Sequence, residues 1–374
     1  MKKWGTRLEV RESEDSKETE ESLGIMAKGF GRIEKRRQKL EASKDWLSEL
    51  NRIMDWEIFR PCLNQLPGKE RKSNAGRKPI DRMLLLKMLI LQLLYNLSDE
   101  DLEYQTHDRK SFRRFIGLNE DGEVPDATTL WLFRQQLTEA GLINELFETF
   151  NRFLDQSGYE AKGGQIIDAT IIPVPVQHNS REENQKLKNG EIPLDWEENP
   201  HKLSQKDTDA RWTKKNDESY FGYKNHVNVD VEYGFIRNHS VSDASVHDSQ
   251  EFSEILDEDN EGNKIWADSA YRSQAREEEL PELGYESQIN ERGYRNNPLT
   301  EEQKETNRSK SKIRSKVEHV FGTYVTNMGG KLVRCIGIKR VRAVLGLKDL
   351  AYNLRRYVFW QKKKEQQNLQ AYCV

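Results

Sequence analysis

Three carboxylates stand out because each occupies an unusual local sequence. Asp168 lies within the apolar run GQIIDATIIPV, Asp268 follows the short apolar run KIWA, and Glu318 lies in the basic segment SKIRSKVEHVF. A buried carboxylate is costly unless a cation or hydrogen-bond donors are close to it. Carboxylate oxygens are also the ligands that hard divalent ions prefer. If the three side chains converge, they can hold two metal ions for cutting and rejoining phosphodiester bonds.

Each carboxylate also has a structural interpretation. Asp168 could belong to an internal ion pair, and Glu318 could form a surface pair on a basic helix, which contributes only about 0–1 kcal/mol. The second position has three further candidates after β-like runs: Asp230, Asp243 and Asp248. We favour Asp268 because IWADSAY is a short apolar run that leads directly into a turn, which exposes the side chain at the carboxyl edge of a sheet.

The segments around these residues alternate between strand and helix patterns. The run QIIDATIIPVPV is β-branched and bounded by glycine and proline, which predicts a central strand. A hairpin turning at Tyr233 and Gly234 follows, then a helix over SVHDSQEFSEIL and strands over KIWADSAY and YESQIN. Two long helices, TEEQKETNRSKSKIRSKVEHVFGTY and AVLGLKDLAYNLRRYVFWQKKK, complete the pattern. This order is that of an RNase H-like core, a mixed-sheet α/β fold.

The first half of the chain has helical spacing instead. Residues 41–66 carry apolar residues at helical intervals, and residues 80–149 form a series of short helical patterns. Ser98, Asp126 and Gly141 occupy positions typical of helix caps. Packed together, these helices would form an all-α, helix-turn-helix-like DNA-binding domain, and a bundle whose basic residues are merely solvated is the alternative. The basic residues concerned are Arg109, Lys110, Arg113, Arg114 and Arg134.

Composition and periodicity divide the chain into a polar arm, a helical part, a part with strands and a long polar loop, and a basic tail. The predicted bounds are 1–40 for the flexible arm, 41–150 for the N-terminal DNA-binding domain, 160–360 for the catalytic domain, 178–218 for its loop and 361–374 for the tail. A basic linker, GKERKSNAGRKPIDR, resembles the short arms that lie in a DNA minor groove. Its Arg77 and Lys78 are candidate DNA contacts, although basic linkers are more often solvated.

Charge is distributed unevenly along the 374 residues, although the formal net charge is only -3. Residues 251–305 contain 16 acidic and 6 basic residues, whereas residues 308–364 contain 16 basic residues against Glu318 and Asp349. Contacts with phosphates supply most of the sequence-independent affinity for nucleic acid, so the basic block predicts a polyanion-binding surface. A solvated helix face is the alternative, which the aromatic residues interleaved in this block weaken.

Several other classes of protein are disfavoured. Cys62, Cys335 and Cys373 are too few and too scattered for a disulfide framework or a zinc site, which indicates reduced thiols in a cytoplasm. The most apolar segment, MLLLKMLILQLLYNL, is short and carries Lys87 and Gln92, so we expect a core helix and no membrane span. The absence of a Gly-rich phosphate loop, a Ser-His-Asp pattern and a CxxC pair argues against nucleotide triphosphatases, hydrolases and zinc proteins.

Six segments carry a resemblance to a known family. They are GRKPIDRMLLLKMLILQLLYNLSDEDLEYQTHDRKSFRRFIGL and VPDATTLWLFRQQL in the first half, and IIDATII, FGYKNHVNVD, ADSAY and RSKVEHVFG in the second. Together they resemble the DDE transposases of bacterial insertion sequences, in the branch around insertion sequence 5. The resemblance covers roughly residues 41–360 and is specific only as a set.

The resemblance implies a metal-binding catalytic triad of Asp168, Asp268 and Glu318. It implies two Mg²⁺ ions, for which Mn²⁺ can substitute, and metal-dependent cleavage at terminal inverted repeats followed by strand transfer into target DNA. The expected partners are these DNA sites and further copies of the chain, as a homodimer or a larger synaptic complex, with no membrane. A catalytically decayed or repurposed DNA-binding protein and a nuclease that cuts without joining are the alternatives. The expected location is the cytoplasm, in association with the nucleoid.

The residues around Glu318 only partly follow the family pattern. In related transposases the glutamate lies in an array Y-x2-R-x3-E-x6-K, and Arg314 occupies the arginine position here. Ser311 and Val325 occupy the tyrosine and lysine positions. The triad is intact, but the DNA contacts of the array would need substitutes such as Lys316 or Lys331.

Two residues near the other carboxylates are further candidates for DNA contact. Lys224 in GYKNH could contact a phosphate near the scissile bond, and Tyr271 could stack on DNA or orient it. Each could equally belong to the core or to the solvated surface.

Overall fold

The structure is a computed structural model that describes residues 45–68, 79–119, 121–294 and 297–372. The predicted polar arm and the linker residues Arg77 and Lys78 lie outside the described residues. The chain divides into two compact units, residues 1–52 and 53–374. The described part of the first unit contains helix α1 (Trp46–Ile53), except its last residue, which belongs to the second unit. The predicted division into a helical domain ending near 150 and a catalytic domain from 160 stays a prediction.

The second unit begins with helices, as its spacing predicts. A 3-10 turn (Trp56–Phe59) leads into α2 (Arg60–Asn64), α3 (Arg82–Tyr95), α4 (Asp99–Asp108), α5 (Lys110–Ile116), α6 (Ala127–Glu139) and α7 (Leu142–Gln156). Ser98 caps α4 by accepting from the Asp101 amide at 3.0 Å, and Asp126 caps α6 by accepting from the Thr129 amide at 2.6 Å. The predicted helix starts are thus confirmed. None of the described helices is long and apolar enough to cross a membrane.

Helix α3 forms the centre of this helical part because it is apolar on nearly every side. Its residues from Leu85 to Leu94 are buried except Lys87, and it packs against α5, α6 and the C-terminal helix. Burial of each such side chain contributes about 1.5–3 kcal/mol. The helical, buried character predicted for this segment is confirmed.

A six-stranded mixed sheet follows. Its strands are β1 (Gln165–Pro173), β2 (Arg211–Lys215), β3 (Glu218–Asp230), β4 (Ile236–Asp243), β5 (Lys264–Trp266) and β6 (Glu286–Ser287). β1 is central, pairing antiparallel with β3 and parallel with β5, while β4 pairs antiparallel with β3 and β6 parallel with β5. A central first strand with a hairpin on one side and parallel strands on the other is the predicted RNase H-like arrangement, and β2 extends the hairpin.

Gly164 allows β1 and β5 to approach closely at the start of their pairing. Its φ is +96°, and a Cβ there would lie 2.4 Å from the Lys264 carbonyl oxygen. A side chain at this position would therefore push the two strands apart. The approach matters because these strands lead to Asp168 and Asp268.

Four helices accompany the later strands. They are α11 (Gln274–Glu282), α12 (Glu301–Arg314), α13 (Glu318–Thr326) and α14 (Ile338–Tyr372). α12 contacts β5, the turn between α12 and α13 contacts β1, and α14 packs against β4, α3 and α7. One face of the sheet is thus covered by the segment that carries Glu318 and by the C-terminal helix.

Several sequence-based boundaries are wrong. The segment 178–218, predicted as a loop, contains three short helices and strand β2; the helices are α8 (Arg181–Lys188), α9 (Leu194–Glu197) and α10 (Pro200–Ser204). SVHDSQEFSEIL forms two 3-10 turns rather than a helix. The helix predicted through Glu318 is interrupted by a 3-10 turn at Ser315–Val317. The predicted basic tail continues helix α14 as far as Tyr372.

Candidate active site

Asp168 lies in the middle of β1 rather than at its end. Its Oδ2 accepts a hydrogen bond from Arg314 Nη1 at 2.7 Å, and its Oδ1 accepts from the Ala169 amide at 2.8 Å. The Asp168 side chain is 13% exposed and that of Arg314 is 24% exposed, so the pair is largely shielded from water. Arg314, which the sequence suggested as a DNA contact, thus neutralises the buried carboxylate.

Asp268 follows β5 by two residues. β1 and β5 are parallel, with Ile166 opposite Trp266. Asp168 and Asp268 each come two residues after this pair, so the chain leaves the end of β5 and reaches Asp268 beside the part of β1 that carries Asp168. Asp268 then caps a 3-10 turn (Ser269–Tyr271) by accepting from the Ala270 amide at 2.7 Å.

Glu318 is the first residue of α13 and is exposed. The 3-10 turn before it places Val317 in the core at 0% exposure and lies against β1. The middle of α12 is held by a loop contact, because the Asn307 side chain accepts from the Glu291 amide at 2.8 Å. Arg314 and Glu318 therefore belong to a short, anchored segment, and their side chains extend from it on the same side of the sheet as Asp168.

The electrostatics link the three carboxylates. Burial raises the pKa of Asp168 to about 6, and the charges on Asp268 and Glu318 act in the same direction. Arg314 and the Ala169 amide lower this pKa without cancelling the effect of burial. These three carboxylates outnumber the two cations beside them, Arg314 and Lys331, so the site favours additional positive charge.

We expect Asp168→Asn to stabilise the metal-free protein above pH 6. The native carboxyl keeps its proton up to about pH 6, whereas the unfolded one has a pKa near 3.8, so folding stability falls as pH rises between these values. The variant lacks this loss and should be more stable than wild type by roughly 3 kcal/mol at neutral pH. Urea unfolding in EDTA at pH 4 and pH 7.5 measures the gain. If the free energies of unfolding of the two proteins differ by the same amount at both pH values, the raised pKa does not belong to Asp168.

The donor set fits a hard divalent ion in chemical type. All three residues offer carboxylate oxygens, and Asp168 already holds a cationic group, the Arg314 guanidinium, on one oxygen. In the described part of the chain, no group of three acidic, histidine or cysteine side chains is close enough to enclose a metal ion. The three carboxylates are near enough to act on one another electrostatically, but they do not form a closed ligand cage.

Lys331, one of the two lysines considered as substitutes, lies at this site. Its Nζ donates to Thr170 Oγ1 at 2.6 Å, and Thr170 faces the same side of β1 as Asp168 because two residues separate them. Burial lowers the pKa of Lys331, while Glu318 and Asp168 favour its charged form. Lys316 instead donates to the Val231 carbonyl at 2.8 Å. Sequence position alone did not separate these two lysines.

Lys224 lies on the opposite face of the sheet. In the β1–β3 register it pairs with Ile171, which is out of phase with Asp168 and Thr170. Its Nζ contacts Asp248 at 2.8 Å and the Val246 carbonyl at 2.6 Å. The predicted phosphate contact is therefore replaced by a structural ion pair.

Tyr271 belongs to the core. It is 1% exposed and packs in an apolar cluster with Phe252 and Ile289. Burial raises the pKa of Tyr271 well above its ordinary value, and nearby carboxylates add to the effect. Its ring is not accessible for stacking on DNA, so of the two interpretations left open by the sequence the core one is correct.

The other aspartates considered for the second position have structural partners. Asp230 accepts from the amides of the hairpin turn, including Phe235 at 2.8 Å, and Asp243 accepts from the Ser245 amide at 2.8 Å. Asp248 pairs with Lys224. These contacts favour Asp268 as the partner of Asp168.

The arginines of the helical part have mixed environments. Arg113 Nη2 donates to the carbonyls of Asn119 at 2.6 Å and Gly122 at 2.8 Å, which stabilises the turn after α5. Arg134 forms a half-buried pair with Asp99 at 2.7 Å. Arg114 is exposed. Of these residues, Arg114 has the environment that a DNA contact requires, whereas Arg134 contributes to the packing of α4 on α6.

A buried polar network beneath the site was not recognised from sequence. Asp349 of α14 accepts hydrogen bonds from Tyr324 Oη and from Asn225 Nδ2, the latter at 3.1 Å, and lies 3.8 Å from His239 Nδ1. Burial raises the pKa of Asp349 and lowers that of His239. Asn225 pairs with Thr170, so the network lies on the face that carries Asp168. The available signal was Asp349 within the largely apolar run AVLGLKDLAYNL of α14.

Comparison with protein families adds a decisive observation. Residues 160–354, just over half of the chain, match the family described as Transposase DDE domain, and residues 34–136 match Transposase domain (DUF772). The chain belongs to the DDE transposase family. It is an insertion-sequence DDE transposase, an enzyme of the polynucleotidyl transferase and endonuclease type that acts in DNA transposition. Members of this family generally use divalent metal ions.

Two solved structures of transposases are similar to this DDE transposase. The piggyBac transposase, in a synaptic complex with hairpin DNA, is 12% identical, with 87% of this chain and 74% of that chain covered and a TM-score of 0.42. The Mos1 strand transfer complex is 10% identical, with 76% of this chain and 79% of that chain covered and a TM-score of 0.24.

Proposed function

We propose that this enzyme cuts DNA at the terminal inverted repeats of its element and joins the freed ends to target DNA. The observation that carries the proposal is a group of three carboxylates on one face of the sheet, of which Asp168 is buried on the central strand and paired with Arg314. Asp168, Asp268 and Glu318 would hold two Mg²⁺ ions, or Mn²⁺ in their place. When bound, the ions would polarise the scissile phosphate and lower the pKa of the attacking hydroxyl or water.

The remaining side chains would bind and position the substrate. Arg314 fixes the orientation of the Asp168 carboxylate through its 2.7 Å hydrogen bond. Lys331, which is held by Thr170 on the same face, would contact a phosphate of the strand being cut. Lys331 is thus our choice for the role of the lysine that the family array has at the position of Val325, which is 56% exposed here.

The proposed reaction balances without a covalent protein intermediate. In cleavage, water attacks the phosphorus, the bond to the 3′-oxygen breaks, and that oxygen takes up a proton to leave a 3′-hydroxyl. In joining, this hydroxyl attacks a phosphorus of the target, and the target's own 3′-oxygen leaves. One phosphodiester bond forms for each one broken in the second step, so no external energy source is needed.

The proposed partners follow from this reaction. Two element ends must be processed together, which requires at least two protomers in a synaptic complex. Arg114, together with Arg77 and Lys78 outside the described residues, would contribute contacts from the first half of the chain to the repeats. Because the substrate is chromosomal DNA, we place the enzyme at the bacterial nucleoid.

The test is cleavage and joining of labelled element-end DNA with Mg²⁺ or Mn²⁺, with EDTA as the control. Metal-dependent nicks at the repeat end and strand-transfer products support the proposal. Cutting without joined products would favour a nuclease, and binding without cutting would favour a decayed DNA-binding protein.

We expect Lys331→Met to reduce cleavage by about 10²-fold, the usual cost of removing one group that stabilises charge in a transition state. The physical reason is that Lys331 is held beside Asp168 and Glu318. Lys339→Met, on an exposed lysine at the start of α14, is the matched control and should leave cleavage unchanged. If the two variants cleave at the same rate, Lys331 does not contribute to catalysis.

A further inference from the structure

A basic, aromatic cleft lies between α13 and α14, next to Glu318. We call it the Trp360 cleft. The turn after β3 forms its floor, and its volume is about 490 Å³. The residues that decide its chemistry are Lys316, His319, Arg356, Phe359, Trp360 and Lys363. Lys316 and His319 lie within two residues of Glu318 in the sequence, so one wall of the cleft belongs to the segment that carries Glu318.

The floor of the cleft is rigid because its polar groups are already bonded. Tyr233 O accepts from Arg356 Nε at 2.6 Å and from Trp360 Nε1 at 2.7 Å. Gly234 has a φ of +72°, and a Cβ there would lie 3.1 Å from Arg356 Nη2. The turn and α14 are thus locked together, and the aromatic and basic groups above them are held in place.

The cleft carries a strong excess of positive charge. Lys316, Arg355, Arg356 and Lys363 line it, with Glu232 as the acidic residue that the lining includes. Such a surface complements a polyanion, because neutralised phosphates release their counterions.

Aromatic rings lie among these cations. Phe359 is 51% exposed, and Arg356 lies 5.0 Å from its ring centroid. Lys363 lies 4.4 Å from the ring centroid of Trp360. Bases stack on exposed aromatic side chains regardless of sequence, and a paired duplex does not offer its base faces for such stacking.

The volume also favours a single strand. About 490 Å³ lies within the range of sites for small ligands, roughly 300–1,000 Å³, which is enough room for an unpaired nucleotide to enter the cleft. Exposed aromatic surface beside backbone-binding cations is the combination found in proteins that bind single-stranded nucleic acid.

We propose that the Trp360 cleft binds a single DNA strand, with a base stacked on Phe359 and phosphates against Lys316 and Lys363. The inference rests on the proposed function for the source of this strand, which is an end opened beside the scissile bond. The binding itself requires neither metal nor cleavage.

Fluorescence anisotropy in EDTA tests the inference, with a short labelled single-stranded oligodeoxynucleotide and a blunt duplex as probes. We expect Phe359→Ala to weaken single-strand binding about tenfold, the loss of one stacked base, and to leave duplex binding nearly unchanged. Lys363→Ala should lower the salt dependence of single-strand binding by about 0.7 in log–log slope. Phe359→Trp should retain the affinity.

Lys364→Ala is the matched control, because Lys364 is exposed on the same helix and does not line the cleft. Thermal melting of each variant establishes that Phe359, which is half-exposed, can be replaced without unfolding. Equal binding by wild type and Phe359→Ala, or an equal loss with both probes, would overturn the inference. Because these measurements involve no cleavage, loss of the proposed catalytic function and loss of strand binding are separate results.

Discussion

Asp268→Asn and Asp168→Asn are each expected to abolish cleavage and joining, by roughly 10³-fold or more. An asparagine has nearly the same size as aspartate, but it removes the negative charge that holds a divalent ion, and several kcal/mol of transition-state stabilisation are lost with the ion. Binding of element-end DNA should be kept. The measurement is single-turnover cleavage of labelled ends with Mg²⁺, because single-turnover rates separate the chemical step from binding and product release.

The control is Asp259→Asn, an exposed aspartate in the loop before β5, which should cut at the wild-type rate. Urea unfolding of Asp168→Asn separates misfolding from loss of a catalytic group, because that variant is expected to be more stable than wild type above pH 6. Cleavage that survives in Asp268→Asn and fails in Asp248→Asn would show that the second carboxylate had been assigned to the wrong residue.

The parts of the fold that were predictable depend on local pattern. Asp168 was assigned to a central strand because β-branched residues surround it, and the cap at Ser98 is formed as its side chain suggests. The hairpin that turns at Gly234 was visible from alternation. Such features need no knowledge of what packs against them.

The alternatives that the sequence left open at the site depend on strand pairing and burial, which local pattern does not determine. Lys224 and Asp168 lie in adjacent strands, but the register places them on opposite faces. Tyr271 follows Asp268 by three residues, yet the 3-10 turn directs its ring into the core. The contact from Arg314 to Asp168 joins residues 146 positions apart, so only the assembled fold reveals it.

The mixed role of the basic block has the same origin. Its lysines and arginines look alike in the sequence, but Arg314 serves a buried carboxylate and Lys348 donates to the Gly330 carbonyl at 2.6 Å with 3% of its surface exposed. Lys363, by contrast, is exposed on α14. The positive charge of residues 308–364 therefore predicted a polyanion-binding surface, but it did not show which of these residues form that surface.

Asp349→Ala is expected to cost roughly 3–5 kcal/mol of unfolding free energy, the range for breaking a buried charged contact by removing one partner. The change would leave Tyr324 Oη and Asn225 Nδ2 buried without their acceptor, and each such orphan costs about 1–3 kcal/mol. Asp349→Asn keeps an acceptor and the volume, so it should cost less. Urea unfolding followed by tryptophan fluorescence measures the stability of both variants. If Asp349→Ala is as stable as wild type, the hydrogen bonds of Asp349 do not stabilise the fold.

The network should also matter for catalysis, because Tyr324 lies in the helix that begins with Glu318. Tyr324→Phe removes the bond from α13 to Asp349, costs about 1 kcal/mol, and should raise the Mg²⁺ concentration needed for half-maximal cleavage by about tenfold. Tyr352→Phe is the matched control, since it removes a buried tyrosine hydroxyl that bonds the Gly234 carbonyl at 3.0 Å. A merely structural network would lower the stability of both variants and shift the Mg²⁺ requirement of neither. If the Mg²⁺ requirement rises in Tyr324→Phe alone, then Asp349, which is buried between α14 and the sheet, sets the position of Glu318 through one hydrogen bond.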